Sequence, residues 1–439
     1  MKKIRIGVLG VYRGTSMINY CRAADNAELV AICDKWVEGI EKHKISHPNE
    51  GITYYTSFDE FINHDMDAVV LANYANEHAP FAIKCLKKGL HVFSEVLPVQ
   101  TMKEAVELVE AVEESGKVYA YGENYCYMPA PMEMRKLYRE GVIGEFEYGE
   151  GEYIHNCESI WPSISYGDPK HWRNVMHANF YCTHSLGPII HVTGLRPVSV
   201  VGFEGTKVDR RRRTGNKAGQ FGIEMVTFEN GGIAKSVHGD LYKNSIWYTF
   251  YGSKGRMESA REDAMNGGPT HLYVNADKYD GEYAPEDIKS YNPECNELSA
   301  SFGHGGSDYY SMYHFVEKIK GNDDADIIDV YEAIDMGITG MFAYRSVLQG
   351  GITLEVPNIR DKAVREKYRN DTTCTVPEVA GDMLIPTFSK GTPEIPDEVY
   401  AKMRRLFEEE LASGEGYISA AFTQGSVKKD EDSEDKEDK

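Results

Sequence analysis

A chain of 439 residues is too long for one ordinary domain and long enough for two cores of typical size. Hydrophobic residues make up 41% and charged residues 27%, a globular balance, and the formal net charge is −21. That charge is repelled by nucleic acid and by anionic membranes, so neither is an expected partner, and no apolar run is long enough to cross a bilayer.

The apolar run after Met1-Lys2-Lys3 is interrupted by Arg5 and ends at Tyr12-Arg13-Gly14 without a small-residue cleavage site, so 3–9 reads as a buried strand and not a secretory leader. A helix over 16–24, a strand over 28–33, a short helix over 58–63, a strand over 68–72, a helix over 78–88 and a strand over 91–94 follow. In KEAVELVEAVEESGK, Ala105, Leu108, Val109 and Val112 share one helical face, and Gly116 stops the helix. A last strand covers 118–121. Apolar strands separated by helices predict an α/β fold opening with a Rossmann domain over 1–123, a parallel sheet covered on both faces.

Beyond Glu123 the pattern changes. A helix at 131–140 precedes strands at 145–154, 198–203, 222–228, 232–238 and 247–251, then helices at 308–320 and 330–348. This predicts a second α/β domain over 124–358 with a large open, mostly antiparallel sheet, through which a homo-oligomer (dimer or tetramer) is expected. The proline- and glycine-rich stretch 357–396 predicts a surface wrap ending in a helix at 399–411, within a C-terminal region 359–426. The acidic end 427–439 predicts a disordered tail. The eight cysteines form no CxxC pair, which predicts reduced thiols and a cytoplasmic protein. The basic run 210–213 reads as a solvated loop. His171, His177, His184 and His191 recur about every seven residues, but Pro169, Gly187 and Pro188 argue against one continuous helix, and no metal is expected.

The first strand runs into Gly7-Val8-Leu9-Gly10-Val11-Tyr12-Arg13-Gly14. A glycine turn opening a helix lets backbone N–H groups approach a pyrophosphate, although this turn is one residue short of the usual spacing. Asp34 ends the second strand, twenty positions after Gly14, where a carboxylate accepts ribose hydroxyls and disfavours a 2′-phosphate. The expected cofactor is therefore NAD, with Gly10, Tyr12, Arg13, Gly14 and Asp34 at its site. The alternative is that Asp34 only caps the next helix.

Residues 67–98, DAVVLANYANEHAPFAIKCLKKGLHVFSEVLP, resemble the Gfo/Idh/MocA oxidoreductases in order and spacing. The resemblance continues through GHGGSDYY at 303–310 and on to LEVPN at 354–358. It implies that Asn73, His78 and Glu95 lie near the cofactor. Where dehydrogenases of the family carry Glu-Lys-Pro, this chain reads Glu95-Val96-Leu97-Pro98, with one residue inserted and no lysine. One branch replaces that lysine with valine: the NAD-dependent α-N-acetylgalactosaminidases, glycoside hydrolase family 109. Gly122-Glu123-Asn124-Tyr125, Gly151-Glu152-Tyr153-Ile154-His155, His171-Trp172-Arg173 and Tyr181-Cys182-Thr183-His184-Ser185-Leu186-Gly187-Pro188 resemble that branch.

The branch implies a carbohydrate or glycoside substrate and a redox-neutral glycosidase: oxidation at C3, loss of the acidified C2 proton with elimination at C1, hydration, and re-reduction. By the same resemblance His184 handles the O3 proton and Tyr153 the C2 proton, with Tyr181, Arg173 and Glu123 holding the sugar or tuning the bases. His304, in the turn before a helix, is a further candidate contact. Each has a plainer reading: Tyr153 as part of a strand face, Glu123 and Arg173 as one ion pair. Two other functions stay open, a conventional sugar or cyclitol dehydrogenase using His184 for the missing lysine, and a non-catalytic NAD-binding protein.

Overall fold

The structure, a computed structural model, describes residues 2–48, 51–261, 269–279 and 284–414. In the first domain β1 (Ile4–Leu9), α1 (Thr15–Ala23), β2 (Ala27–Cys33), α2 (Val37–Ser46), β3 (Thr53–Tyr55), α3 (Phe58–Phe61), β4 (Ala68–Leu71), α4 (His78–Lys87), β5 (His91–Glu95), α5 (Met102–Ser115) and β6 (Tyr119–Gly122) follow one another. Strands such as β4, buried at all four positions, need cover on both faces, and the helices supply it around a parallel sheet ordered β3-β2-β1-β4-β5-β6. The order reverses between β1 and β4, which opens a crevice beyond their C-terminal ends. Thr101 caps α5 through the Glu104 amide, and Gly116 ends it in the left-handed conformation.

The second domain comprises α6 (Pro129–Arg139), β7 (Phe146–Ile154), α7 (Trp161–Ser165), α8 (Trp172–Val175), α9 (Thr183–Thr193), β8 (Pro197–Glu204), α10 (Asp209–Arg213), β9 (Phe221–Phe228), β10 (Ile233–Gly239), β11 (Ser245–Gly252), β12 (Gly255–Ser259), β13 (Leu272–Asp277), β14 (Glu286–Tyr291), α11 (Ser307–Ile319), α12 (Val330–Leu348) and β15 (Leu354–Glu355). Its nine strands are ordered β14-β13-β12-β11-β7-β10-β9-β8-β15. Every neighbouring pair is antiparallel except β7 and β10, which run parallel. In β9 buried Gly222, Glu224, Val226 and Phe228 alternate with partly exposed Phe221, Ile223, Met225 and Thr227. α9 and α12 pack on one face of this sheet, and among the described residues no helix packs on the opposite one. The basic run at 210–213 is not a loop but the short helix α10, with Arg211 buried beside Asp240.

Gly187 and Pro188 lie inside α9. Proline has no N–H to give the carbonyl four positions back, which belongs to His184. The Tyr248 hydroxyl, from β11, donates to that oxygen at 2.5 Å. The helix therefore survives its proline, although no single helix joins His171 to His191.

The described chain beyond β15 is a strap with two short helices, α13 (Lys362–Tyr368) and α14 (Pro377–Ala380), and a long one, α15 (Asp397–Ser413). Arg365 and Arg369 grip Glu113 and Glu110 on α5, at the back of the first domain. The strap then crosses the second domain, where Tyr344 Oη donates to Pro386 O and the Ser389 amide to Glu204, and α15 ends against α7. The acidic tail at 427–439 lies outside the described residues.

Candidate active site

A cavity of about 720 Å³ begins at the β1–β4 crevice and continues over the ends of β7 and β10. Its walls include Gly10, Tyr12, Arg13, Asp34, Asn73 and Glu95 from the first domain, and Tyr153, Arg173, Tyr181, His184 and His304 from the second. These eleven residues, proposed from sequence as cofactor and substrate contacts, thus share one cleft.

At the crevice the chain passes Gly10 with φ +104°, and a Cβ there would collide with the carbonyl oxygen of Ala72. Only glycine lets the β1 turn press against the end of β4. No side chain caps α1; its first amide, that of Thr15, donates to the Tyr12 carbonyl, and the Gly14 amide to that of Gly10. Asp34 accepts from the amides of Val11 and Trp36, both at 2.8 Å, so it fixes the glycine turn as well as starting α2. Burial pushes its carboxyl up while those two amides oppose the rise. Each carboxylate oxygen keeps a second lone pair for a ribose hydroxyl. Asn73 presents a buried Oδ1 with no hydrogen-bond partner to the same cleft. A closely packed glycine turn, a ribose-type carboxylate and an orphaned amide oxygen fit a dinucleotide.

Arg13 is held between two carboxylates, 2.6 Å from Glu95 and 3.0 Å from Asp308. Burial would raise the Asp308 carboxyl, but Arg13 and His304 outweigh it and hold it well below the usual range. His304 stands in a positive-φ turn with Nδ1 3.1 Å from Asp308. This network ties the glycine turn to the GHGGSD segment across the domain boundary.

At the other end the His184 Nδ1 lies 2.6 Å from Glu123 Oε1. Glu123 is wholly buried, and its other oxygen has no partner. The carboxylate fixes the imidazole orientation and leaves Nε2 for the cleft. Three tyrosines surround the ring, with centroids at 4.5 Å for Tyr125, 4.6 Å for Tyr153 and 5.0 Å for Tyr181. Burial raises the Tyr181 hydroxyl, opposed by Arg173, whose guanidinium lies 5.3 Å from the ring. Tyr153, at the end of β7, stacks on His155 at 5.9 Å, and burial lowers the His155 imidazole. Burial also lowers His171 and His177 to about 3, so both are neutral at ordinary pH.

Three proposed contacts sit elsewhere. Glu123 is behind His184 and not on the cavity wall, and its partner is that histidine, not Arg173. His78 points into protein: Nδ1 and Nε2 meet the carbonyls of Leu97 and Asn73 at 3.0 and 3.2 Å, and burial lowers it to about 4. It shapes the Asn73 loop from behind. Gly14 is the residue before α1 and does not reach the cavity. Sequence reasoning passed over Tyr125, two positions beyond Glu123, and Asp308, inside a motif read only for its histidine. It also missed Tyr166 and Phe407, which carry no motif at all. Among the described residues no group of three His, Cys, Asp or Glu side chains is arranged to hold a metal ion. Val96 lines the cleft, and among the described residues the one lysine on its walls is Lys35, beside Asp34.

Two family models match. Residues 4–123 match the oxidoreductase family with NAD-binding Rossmann fold (Gfo/Idh/MocA), and residues 244–364 match the glycosyl hydrolase 109 C-terminal domain. A glycosyl hydrolase family 109 protein of Solibacter usitatus is 26% identical over 393 residues, covering 81% of this chain and 88% of that one. An alpha-N-acetylgalactosaminidase of Shewanella oneidensis is 30% identical over 201 residues, and this match spans less than half of each protein, 43% of this chain and 44% of that one. Among solved structures, an oxidoreductase domain protein from Kribbella flavida superposes with a TM-score of 0.66 at 20% identity, covering 81% of this chain and all of that one. That likeness shows the same fold. Residues 4–123 thus carry the NAD-binding Rossmann fold of the Gfo/Idh/MocA oxidoreductases, with NAD as the cofactor, and residues 244–364 resemble the glycosyl hydrolase 109 C-terminal domain.

Proposed function

We propose that the protein is an NAD-dependent glycosidase that cleaves a sugar from its leaving group with no net redox change. The observation that carries the reading is the His184–Glu123 pair ringed by tyrosines, at a cleft where Val96 stands in place of a lysine. The glycosyl hydrolase 109 relatives, among them an alpha-N-acetylgalactosaminidase, support the same class of substrate.

Bound on the Gly10 turn, Asp34 and Asn73, NAD⁺ would supply the hydride acceptor for C3 of the sugar and, reduced, the hydride donor that closes the cycle. His184 accepts the O3 proton at Nε2, and Glu123 stabilises the resulting imidazolium from the other side. Tyr153 takes the proton from C2, acidified by the C3 ketone, and the group on C1 leaves with its bonding pair; water then adds, its hydroxyl at C1, while Tyr153 returns the proton to C2. Tyr181 and Arg173 hold the ring hydroxyls while Tyr125 and His155 fix the attitude of Tyr153. Asn73, Asp34 and the Gly10 turn hold the dinucleotide.

The test is incubation with NAD⁺ and a panel of aryl α- and β-glycosides and free sugars, following aglycone and NADH absorbance together. Aglycone release without accumulating NADH is the expected result. NADH accumulating with a free sugar would replace this reading by a sugar or cyclitol dehydrogenase, which the same His184–Glu123 pair could also serve. We further propose a homo-oligomer formed through the open sheet face, on which Ile233 and Tyr251 are exposed. The eight free thiols support a cytoplasmic setting, to be checked by cell fractionation.

A further inference from the structure

The strap ends over the cleft. Gly167, in the turn after α7, has φ +63°, and a Cβ there would collide with the backbone of Tyr400 and Arg404, so the turn and α15 touch main chain to main chain. Arg404 Nη2 donates to Gly167 O at 3.2 Å, Tyr400 Oη donates to Gly215 O at 3.0 Å, and Ser163 Oγ bonds the Glu410 carboxylate. Four elements of contact thus hold the helix on its own chain's site.

The residue before Gly167 is Tyr166, a bulky side chain at φ 57°, a conformation that persists only where the surroundings enforce it. Its ring meets Phe407 of α15 at 5.0 Å and His171 at 5.6 Å. On the other side it is hydrogen-bonded to Tyr74. Tyr74 follows Asn73 and carries the Lys35 ammonium 4.0 Å over its ring, next to Asp34. Phe407, Tyr166, Tyr74 and Asp34 all line the same cavity. A chain of contacts therefore runs from the last helix to the ribose-type carboxylate of the Rossmann domain.

We propose that the strap completes the dinucleotide site: Phe407 and Tyr166, held down by α15, form its outer wall on the Asp34 side, and NAD leaves only when α15 lifts. A wall supplied by a different part of the chain must come away before a ligand filling the cleft can depart, so it acts on the release rate. Slow release suits a cycle that regenerates NAD⁺ at each turn, and in a dehydrogenase it sets the rate of cofactor exchange. The proposal rests on the cofactor and not on whether the reaction is a glycosidase or a dehydrogenase.

The experiment loads the full chain with radiolabelled NAD⁺ and follows loss of label during a chase with unlabelled NAD⁺. Phe407→Ala and Gly167→Ala should each speed release by about tenfold or more, with the far-UV spectrum unchanged. Ser163→Cys combined with Glu410→Cys, oxidised to a cross-link, should slow release below the unmodified rate, and reduction should restore it. If Gly167→Ala does not fold, Phe407→Ala and the cross-link decide. Release within about twofold of the parent in both, with label bound beforehand, overturns the strap alone. A chain that never binds the label overturns the cofactor reading and this proposal together.

Discussion

Pro188 decides how His184 is held. By withholding one N–H it leaves the His184 carbonyl open to Tyr248, and the same residue's imidazole is taken by Glu123. Tyr248→Phe removes the first contact and should cost about 1–2 kcal/mol in urea unfolding, with a smaller effect on turnover. Glu123→Gln keeps the shape but not the charge that stabilises the imidazolium, so kcat should fall by roughly 10²-fold or more while the melting temperature changes little. His184→Ala should abolish turnover yet retain bound NAD, which absorbance of the purified protein would check. At this scale Tyr153, Tyr181 and His184 stood out in the sequence through the motifs that resemble the glycoside hydrolase 109 branch. It could not reveal that Glu123 serves His184, because 61 positions separate them. His78 misled for a physical reason: a polar residue opening a helix after a strand looks the same in sequence whether it faces a cleft or a carbonyl behind it.

Among the elements, the strap has the most testable anchorage. The Arg365 guanidinium, through its hydrogen bonds, lowers the Glu113 carboxyl from 4.5 to about 2. A carboxyl lowered in the folded state adds stability above its ordinary pKa and loses that contribution as pH falls through the lowered value. The Glu113 contribution should therefore be complete above about pH 4.5 and vanish by about pH 2, and Glu113→Gln should flatten that part of the stability profile. Arg365→Ala also loses the 2.7 Å bond to Ile359 O and should cost about 1–3 kcal/mol by thermal melting. The parallel sheet was legible in continuous apolar strands, as was α5 in its periodicity. By contrast α2, with a buried His43 and only Ile40 as a large apolar core residue, carries little helical signal. The strand β14, reading EDIKSY and mostly exposed, carries little strand signal, and its place at the sheet edge explains why. The strap was legible as a wrap, but its destination depends on contacts that no local pattern records.

At the scale of the whole molecule, one face of the nine-stranded sheet is left open by the described residues. Replacing Ile233 and Tyr251 by lysine places two charges on that face, which should convert an oligomer to a monomer in light scattering while leaving its melting temperature nearly unchanged. The parallel pairing of β7 with β10 has a different consequence, one of timing. Ile233 lies opposite Tyr148, and between them the chain must make α7, α8, α9, β8, α10 and β9. Contacts closed over so long a stretch form late, because the entropy of closing the loop is spent before the pairing returns anything. Tyr153 is on the strand that waits and His184 on the segment awaited. During refolding the Rossmann helices should regain their ellipticity first, and the Tyr153–His184 contact should be among the last parts of the protein to exist.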